Sequence, residues 1–142
     1  MTTRRTASFG VPYNYSGISY PETPLPGVLR PMIDRLAIQL GIRFNNCLLN
    51  HYQSGENTMG FHSDDTSCLL PETGVAIVSL GSEREITFRS KNDSSVNYSV
   101  TMLPGMLLSM DNEVQENWLH GIQRAADVGP RISLTWRAFQ TS

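Results

Sequence analysis

Only two cysteines, Cys47 and Cys68, occur among the 142 residues, and they stand too far apart to form a CxxC pair. That spacing excludes a cysteine-based zinc framework and a disulfide scaffold, and two reduced, partly buried thiols suit a cytoplasmic protein. No apolar run reaches the length that a bilayer-spanning helix needs, and the opening MTTRRTASFG lacks the apolar stretch of a secretory signal. Neither a dinucleotide-type nor a P-loop glycine fingerprint is present, which argues against nucleotide-cofactor chemistry of those kinds. Positive charge is also in short supply. A formal net charge of -2 excludes a general nucleic-acid coat, although Arg4, Arg5, Arg30, Arg35 and Arg43 make the first third locally basic. We expect a soluble, intracellular monomer, and a domain of this length can be stable without metal or disulfide.

What is present falls into one domain, residues 1–142, with three parts. Residues 1–26 are rich in Pro, Gly, Ser, Thr and Tyr without a sustained period, and read as loop with short extended pieces. Residues 27–41, GVLRPMIDRLAIQLG, place Leu29, Met32, Ile33, Leu36, Ala37 and Leu40 at helical spacing, with Pro31 near the first turn and Gly41 as the stop. From residue 42 onward the signal is of short strands: FNNCLLNHY, VAIVSLG, REITFRS, NYSVTML, GMLLSMD and RISLTWRAF, divided by turn residues. The fold class is therefore mainly β, a sandwich or jelly roll with one packed amphipathic helix.

Three constellations carry chemistry. RISLTWR alternates cleanly, so Arg131, Ser133, Thr135 and Arg137 share one face. If that face lines a pocket, the two guanidinium forks make a floor for a dicarboxylate. In FNNCLLNHY, Asn50 and Tyr52 share a face and can orient a bound acid through neutral hydrogen bonds, while His51 points the other way. In GFHSDD, His62 and Asp64 stand two apart and point together where the chain is extended. His120, in NWLHGI, is either a buried neutral histidine or the third member of a two-histidine, one-carboxylate metal set. Such a set suits non-heme Fe(II) and also hydrolytic zinc. The arginine floor favours the first, because a 2-oxoglutarate oxygenase needs a dicarboxylate clamp and a zinc hydrolase does not.

FNNCLLNHYQSGENTMGFHSDD, IVSLGSEREITFR, LPGMLLSMD, WLHGI and PRISLTWR, taken in order, resemble the AlkB family of Fe(II)/2-oxoglutarate-dependent dioxygenases over nearly everything after Gly41. The resemblance implies a double-stranded β-helix, with Fe(II) on His62, Asp64 and His120. It also implies 2-oxoglutarate on Asn50, Tyr52, Arg131 and Arg137, with Ser133 and Thr135 lining the same face, and dioxygen as the second co-substrate. TRRTASFG and YNYSG resemble the family's nucleotide-recognition region. That likeness implies that Tyr15 stacks on the target base, Tyr13 lines the slot, Asp65 meets the base edge and Arg4 approaches the nucleic-acid backbone. Thr66 stands where relatives often carry an acid, and Ser133 where an asparagine is common. The chain opens just before the recognition region, from which a reduced grip on duplexes and a preference for single-stranded substrate are expected.

The activity so implied is oxidative demethylation of N-methylated bases in nucleic acid, with release of formaldehyde. Two other readings are an oxygenase of the same fold acting on a protein or small molecule, and a catalytically silent binding module.

Overall fold

The computed structural model describes residues 2–15 and 18–141, and for residues 2, 3, 14, 15 and 18 the main chain alone. In chain order the strands begin with β1 (Thr2–Thr3), β2 (Arg5–Gly10), β3 (Tyr13–Tyr15) and β4 (Ile18–Tyr20). A 3-10 turn then leads into α1 (Arg30–Leu40), followed by β5 (Asn46–Tyr52), β6 (Asn57–His62), β7 (Val75–Gly81) and β8 (Arg84–Ser90). After β9 (Asn97–Met102) and β10 (Leu107–Met110) come the short helix α2 (Asn112–Asn117), β11 (Trp118–Ile122) and β12 (Arg131–Arg137).

The strands form two five-stranded sheets, β1-β6-β11-β8-β9 and β10-β7-β12-β5-β2, with β3 and β4 as a separate hairpin. Apart from the short parallel β1–β6 pair, all pairing is antiparallel. This is the mainly β, jelly-roll architecture expected from the alternating strands. Leu48, Tyr52, Val75, Ile77, Ile86, Met110 and Ile122 join one buried cluster between the sheets. A second cluster lies under α1: Ile33 and Leu36 meet Phe44, Cys47, Ala76, Val78, Leu134 and Trp136 on the outer face of the second sheet. The molecule is thus helix, sheet, sheet, each layer burying its apolar face on the next.

The helix behaves as its sequence dictates. Pro31 sits in the first turn, where its missing N–H costs nothing, and Gly41 takes the left-handed conformation, φ 71°, that ends the helix. Residues 5–10 are one of the extended pieces of the front segment, and the RTASFG backbone hydrogen-bonds alongside β5 from Arg5↔His51 to Gly10↔Asn46. One expectation needs correction. Cys68 is exposed, whereas Cys47 is fully buried; burial pushes the Cys47 thiol up to about 12, outweighing the pull of Arg137. No described helix is long and apolar enough to cross a membrane.

Candidate functional site

β12 lies at the centre of its sheet, between β7 and β5, and turns its polar face inward. Arg131, Ser133, Thr135 and Arg137 are all nearly inaccessible to solvent. The alternation read from RISLTWR therefore separates two buried layers: Leu134 and Trp136 pack under the helix, and the arginines line the space between the sheets. Asn50 and Tyr52 on β5 stand beside them, as does Ser79 on β7. Arg131 is fixed by its Nε, which donates to Ser79 Oγ at 2.8 Å, and its guanidinium lies 5.1 Å from the Tyr52 ring centre. Burial raises the Tyr52 pKa, with Arg131, Arg4 and Arg84 opposing that rise.

The cavity between the sheets is lined by Arg4, Asn50, Tyr52, Arg131, Ser133, Thr135 and Arg137, with Met59, Ile86 and Met110 among its apolar walls. Of the three arginines in its lining, Arg137 is ion-paired with Asp64, while Arg4 and Arg131 meet no carboxylate among the described lining residues. That excess of buried positive charge favours an anionic guest. The free volume is about 30 Å³, room for a water or two, so a five-carbon diacid enters only as lining side chains give way.

At one end of this cavity the first sheet and the loop after β6 bring three ligand-type side chains together. His62 ends β6, and its register partner on β11 is His120. Directly opposed residues on antiparallel strands have neighbouring side chains, and the two rings lie 4.4 Å apart between centres. Asp64 follows two residues after His62, and one ligand atom from each of His62, Asp64 and His120 falls within 4.8 Å of the others. From the facing sheet, Arg137 Nε donates to Asp64 Oδ2 at 2.6 Å.

The donor set fits a divalent cation. Asp64 Oδ1 and His120 Nδ1 are buried with no hydrogen-bond partner, a costly condition that a metal ion relieves. His62 Nδ1 lies 2.9 Å from the Gly60 carbonyl; donating there puts the ring's lone pair on Nε2, which is 3.9 Å from Asp64 Oδ1. Burial keeps both histidines neutral: the His62 pKa is lowered, and that of His120 falls to about 4. Burial alone would raise the Asp64 pKa, but Arg137, with help from the two histidines, holds the carboxyl below its usual range. All three groups are thus in the protonation state a metal requires.

A second, open cavity of about 400 Å³ reaches two of the three, His62 and Asp64, from outside. Its lining includes Tyr13, His62, Asp64, Asp65, Cys68, Phe139 and Gln140. Tyr13 lines it as a packed wall, buried and stacked 5.1 Å from Phe139 with the Arg137 guanidinium 4.6 Å from its ring centre. Asp65 is exposed at the mouth and accepts the Ser67 N–H at 2.9 Å, a bond that lowers its pKa. The side chain of Tyr15 lies outside the described residues. Arg4 is placed differently from its expected position by a nucleic-acid backbone. Strand pairing on either side of it pins Arg4 over the inner cavity, where it donates to Asn50 Oδ1 at 2.8 Å and to the Thr58 carbonyl at 3.3 Å.

Sequence reasoning missed Ser79, Gln115 and Arg84. Gln115 Oε1 accepts the Asp64 backbone N–H at 2.8 Å. Arg84, buried beside Tyr52, donates to the carbonyls of Ser54, Asn57 and Gln123. The inward alternation of Val75, Ile77 and Ser79 carried a signal for the first; the other two depend on contacts distant in sequence.

Comparison with known proteins agrees with this geometry. The pattern of the 2OG-Fe(II) oxygenase superfamily matches residues 1–137, and its description names the metal and the dicarboxylate that the two halves of the site fit. The DNA oxidative demethylase ALKBH2 of Homo sapiens is 32% identical over 145 residues, covering 94% of this chain and 56% of that protein. The alpha-ketoglutarate-dependent dioxygenase alkB homolog 3 of Homo sapiens is 31% identical, covering 94% and 51%. The chain thus spans little more than half the length of these curated relatives. Among solved structures, OsALKBH1 superimposes with a TM-score of 0.70 at 19% identity, covering 96% of this chain and 78% of that one. A 2OG-Fe(II) oxygenase family oxidoreductase from Burkholderia pseudomallei gives 0.53 at 14%, covering 96% and 71%. At those identities the structural likeness speaks to fold.

Proposed function

This chain belongs to the 2OG-Fe(II) oxygenase superfamily, and from that premise we propose that it removes methyl groups from N-methylated bases of nucleic acid by oxidation. The observation that carries the reading is that the His62, Asp64 and His120 cluster is shared by two cavities: the open one of about 400 Å³ meets it at His62 and Asp64, and the arginine-lined one meets it at His62 and His120. One cluster is thus addressed by two separate guests. Proteins related to this chain carry the names DNA oxidative demethylase and alpha-ketoglutarate-dependent dioxygenase, which accords with a base as the outer guest.

His62, Asp64 and His120 would hold Fe(II), and Arg131, Asn50, Tyr52, Ser133 and Thr135 would hold 2-oxoglutarate, with Arg137 between the two groups. When bound, the iron and 2-oxoglutarate supply the oxidation: dioxygen gives one atom to the N-methyl group and one to the succinate formed as carbon dioxide leaves. The chain's own contribution is placement. Arg137 keeps Asp64 anionic and aims its second oxygen into the site. Phe139 and Tyr13 form an apolar wall against which a flat base can lie, and Asp65 presents a carboxylate at the mouth. Methylation at N1 of adenine or N3 of cytosine fixes a positive charge on the base, and that charge suits the exposed Asp65 carboxylate at the mouth. The hydroxymethyl product then breaks its N–C bond: the bonding pair stays on the ring nitrogen and cancels its charge, the hydroxyl proton passes to water, and formaldehyde leaves.

A base reaches this cluster only after leaving its stack, so unpaired strands should be the better substrates. The test is turnover of single- and double-stranded oligonucleotides carrying 1-methyladenine or 3-methylcytosine, followed by formaldehyde release. Formaldehyde from methylated strands, fastest from single strands, is the expected result. Succinate production that no methylated oligonucleotide stimulates would instead favour a protein or small-molecule substrate.

A further inference from the structure

We propose that Gln115 is a positioning residue for the metal centre, setting the Asp64 carboxylate by holding its main chain; the inference rests on the reading of His62, Asp64 and His120 as metal ligands. Asp64 lies just past the end of β6, where the chain has left the sheet and its N–H has no ladder partner. Gln115 supplies the missing acceptor: Oε1 takes that N–H at 2.8 Å across 51 residues of sequence. The side chain is itself locked. Gln115 is 1% exposed, and its Nε2 faces Met110 Sδ at 3.8 Å.

The helix that carries it is held as well. Asp111 caps α2 by accepting the Val114 N–H at 3.0 Å, and Lys91 Nζ donates to the Gln115 carbonyl at 2.9 Å. Because α2 runs straight into β11, Gln115 ties the Asp64 loop to the strand bearing His120. Asp64 is then fixed at two points, its amide on Gln115 and its Oδ2 on Arg137, and the remaining freedom of Oδ1 is small. Outer partners of this kind typically change metal affinity by 10- to 100-fold when lost.

The experiment is Co(II) titration of the full chain, read by the visible d–d absorption, on wild type, Gln115→Asn and Gln115→Glu, with apo-protein melting curves alongside. Asn withdraws the acceptor by about one bond length, 1.5 Å. Glu keeps the length and an acceptor oxygen. We expect Gln115→Asn to bind Co(II) about 10- to 100-fold more weakly with an altered band shape, and Gln115→Glu to stay within about threefold of wild type. A role confined to packing would shift the melting curves and leave the affinity, taken well below melting, unchanged. Equal affinity in wild type and Gln115→Asn, or equal loss in both variants, overturns the proposal. If Gln115→Asn does not fold, Gln115→Glu decides: retained binding supports the acceptor role and a tenfold loss refutes it. Failure of wild type to bind Co(II), or binding that survives His62→Ala, instead removes the metal-site reading itself.

Discussion

Replacing Arg131 by lysine should weaken 2-oxoglutarate binding by one to two orders of magnitude while leaving metal binding intact. Arg131 is 2% exposed, and its Nε is already committed to Ser79. Its terminal nitrogens, one of them shared with the Tyr52 hydroxyl, line the cavity and present the edge that grips a carboxylate. Lysine keeps the charge but offers one nitrogen on a different reach, so at least one charge-assisted hydrogen bond is lost. A bond of that kind is worth about 1.5 to 3 kcal/mol, or roughly 10- to 150-fold in Kd. Arg137, at the opposite end of β12, is bonded to Asp64, and Arg131 therefore faces the part of the diacid farther from the metal cluster. The assay is equilibrium binding of 2-oxoglutarate to the Mn(II)-loaded protein without oxygen, compared with 2-oxobutyrate, which lacks the second carboxylate. The variant should lose affinity for the diacid and bind the monoacid much as wild type does. Unchanged diacid affinity, or equal losses for both acids, would refute the assignment of Arg131 to the distal carboxylate.

Substituting alanine for His62, Asp64 or His120 should abolish 2-oxoglutarate turnover with the apo fold retained, checked by succinate formation and circular dichroism; turnover in any one iron-loaded variant excludes that residue from the ligand set. Arg84→Met leaves buried carbonyls of Asn57 and Gln123 without their donor, and should cost about 3 kcal/mol and lower Tm by about 10 °C. A calorimetric shift under 2 °C would show that those carbonyls find other partners. Thiol titration with a disulfide reagent at pH 8 should detect one fast thiol, Cys68; Cys47, buried and pushed up to about 12, is almost wholly unionised at that pH and should react only on unfolding. Two fast thiols in the native protein would contradict the packing under α1.

The parts of this molecule that sequence made legible are those written in local periodicity. Val75–Gly81 and Arg84–Ser90 were readable to the residue, because a short apolar run in the first and an alternating pattern in the second are bounded by turn formers. The inward polar face of β12 was readable too, although alternation alone could not tell a buried polar layer from a wet one. Packing of Leu134 and Trp136 under α1, with the facing sheet on the other side, is what buries both faces. Short extended pieces were expected in the front segment, but the bounds of β2 were not legible because RTASFG has small residues and no stripe, and its place comes from backbone pairing with β5. Arg4 was assigned by family likeness, yet its position follows from the pairing of its neighbours. Gln115 and Arg84 had no local signal at all: one answers an amide 51 residues away, the other three carbonyls on two separate loops. Ligand-type residues announce themselves by chemistry, whereas the groups that hold them are defined only by the fold.

The account stands on one cluster holding Fe(II) while the arginine-lined cavity holds 2-oxoglutarate beside it. Anaerobic addition of 2-oxoglutarate to the Fe(II)-loaded protein tests this most directly, through the metal-to-ligand charge-transfer absorption that arises only when the two are in contact. We predict a visible band that saturates at one equivalent of each, is lost in Asp64→Ala, and needs far more 2-oxoglutarate in Arg131→Lys. Absence of the band in wild-type protein that has bound both partners would contradict the account.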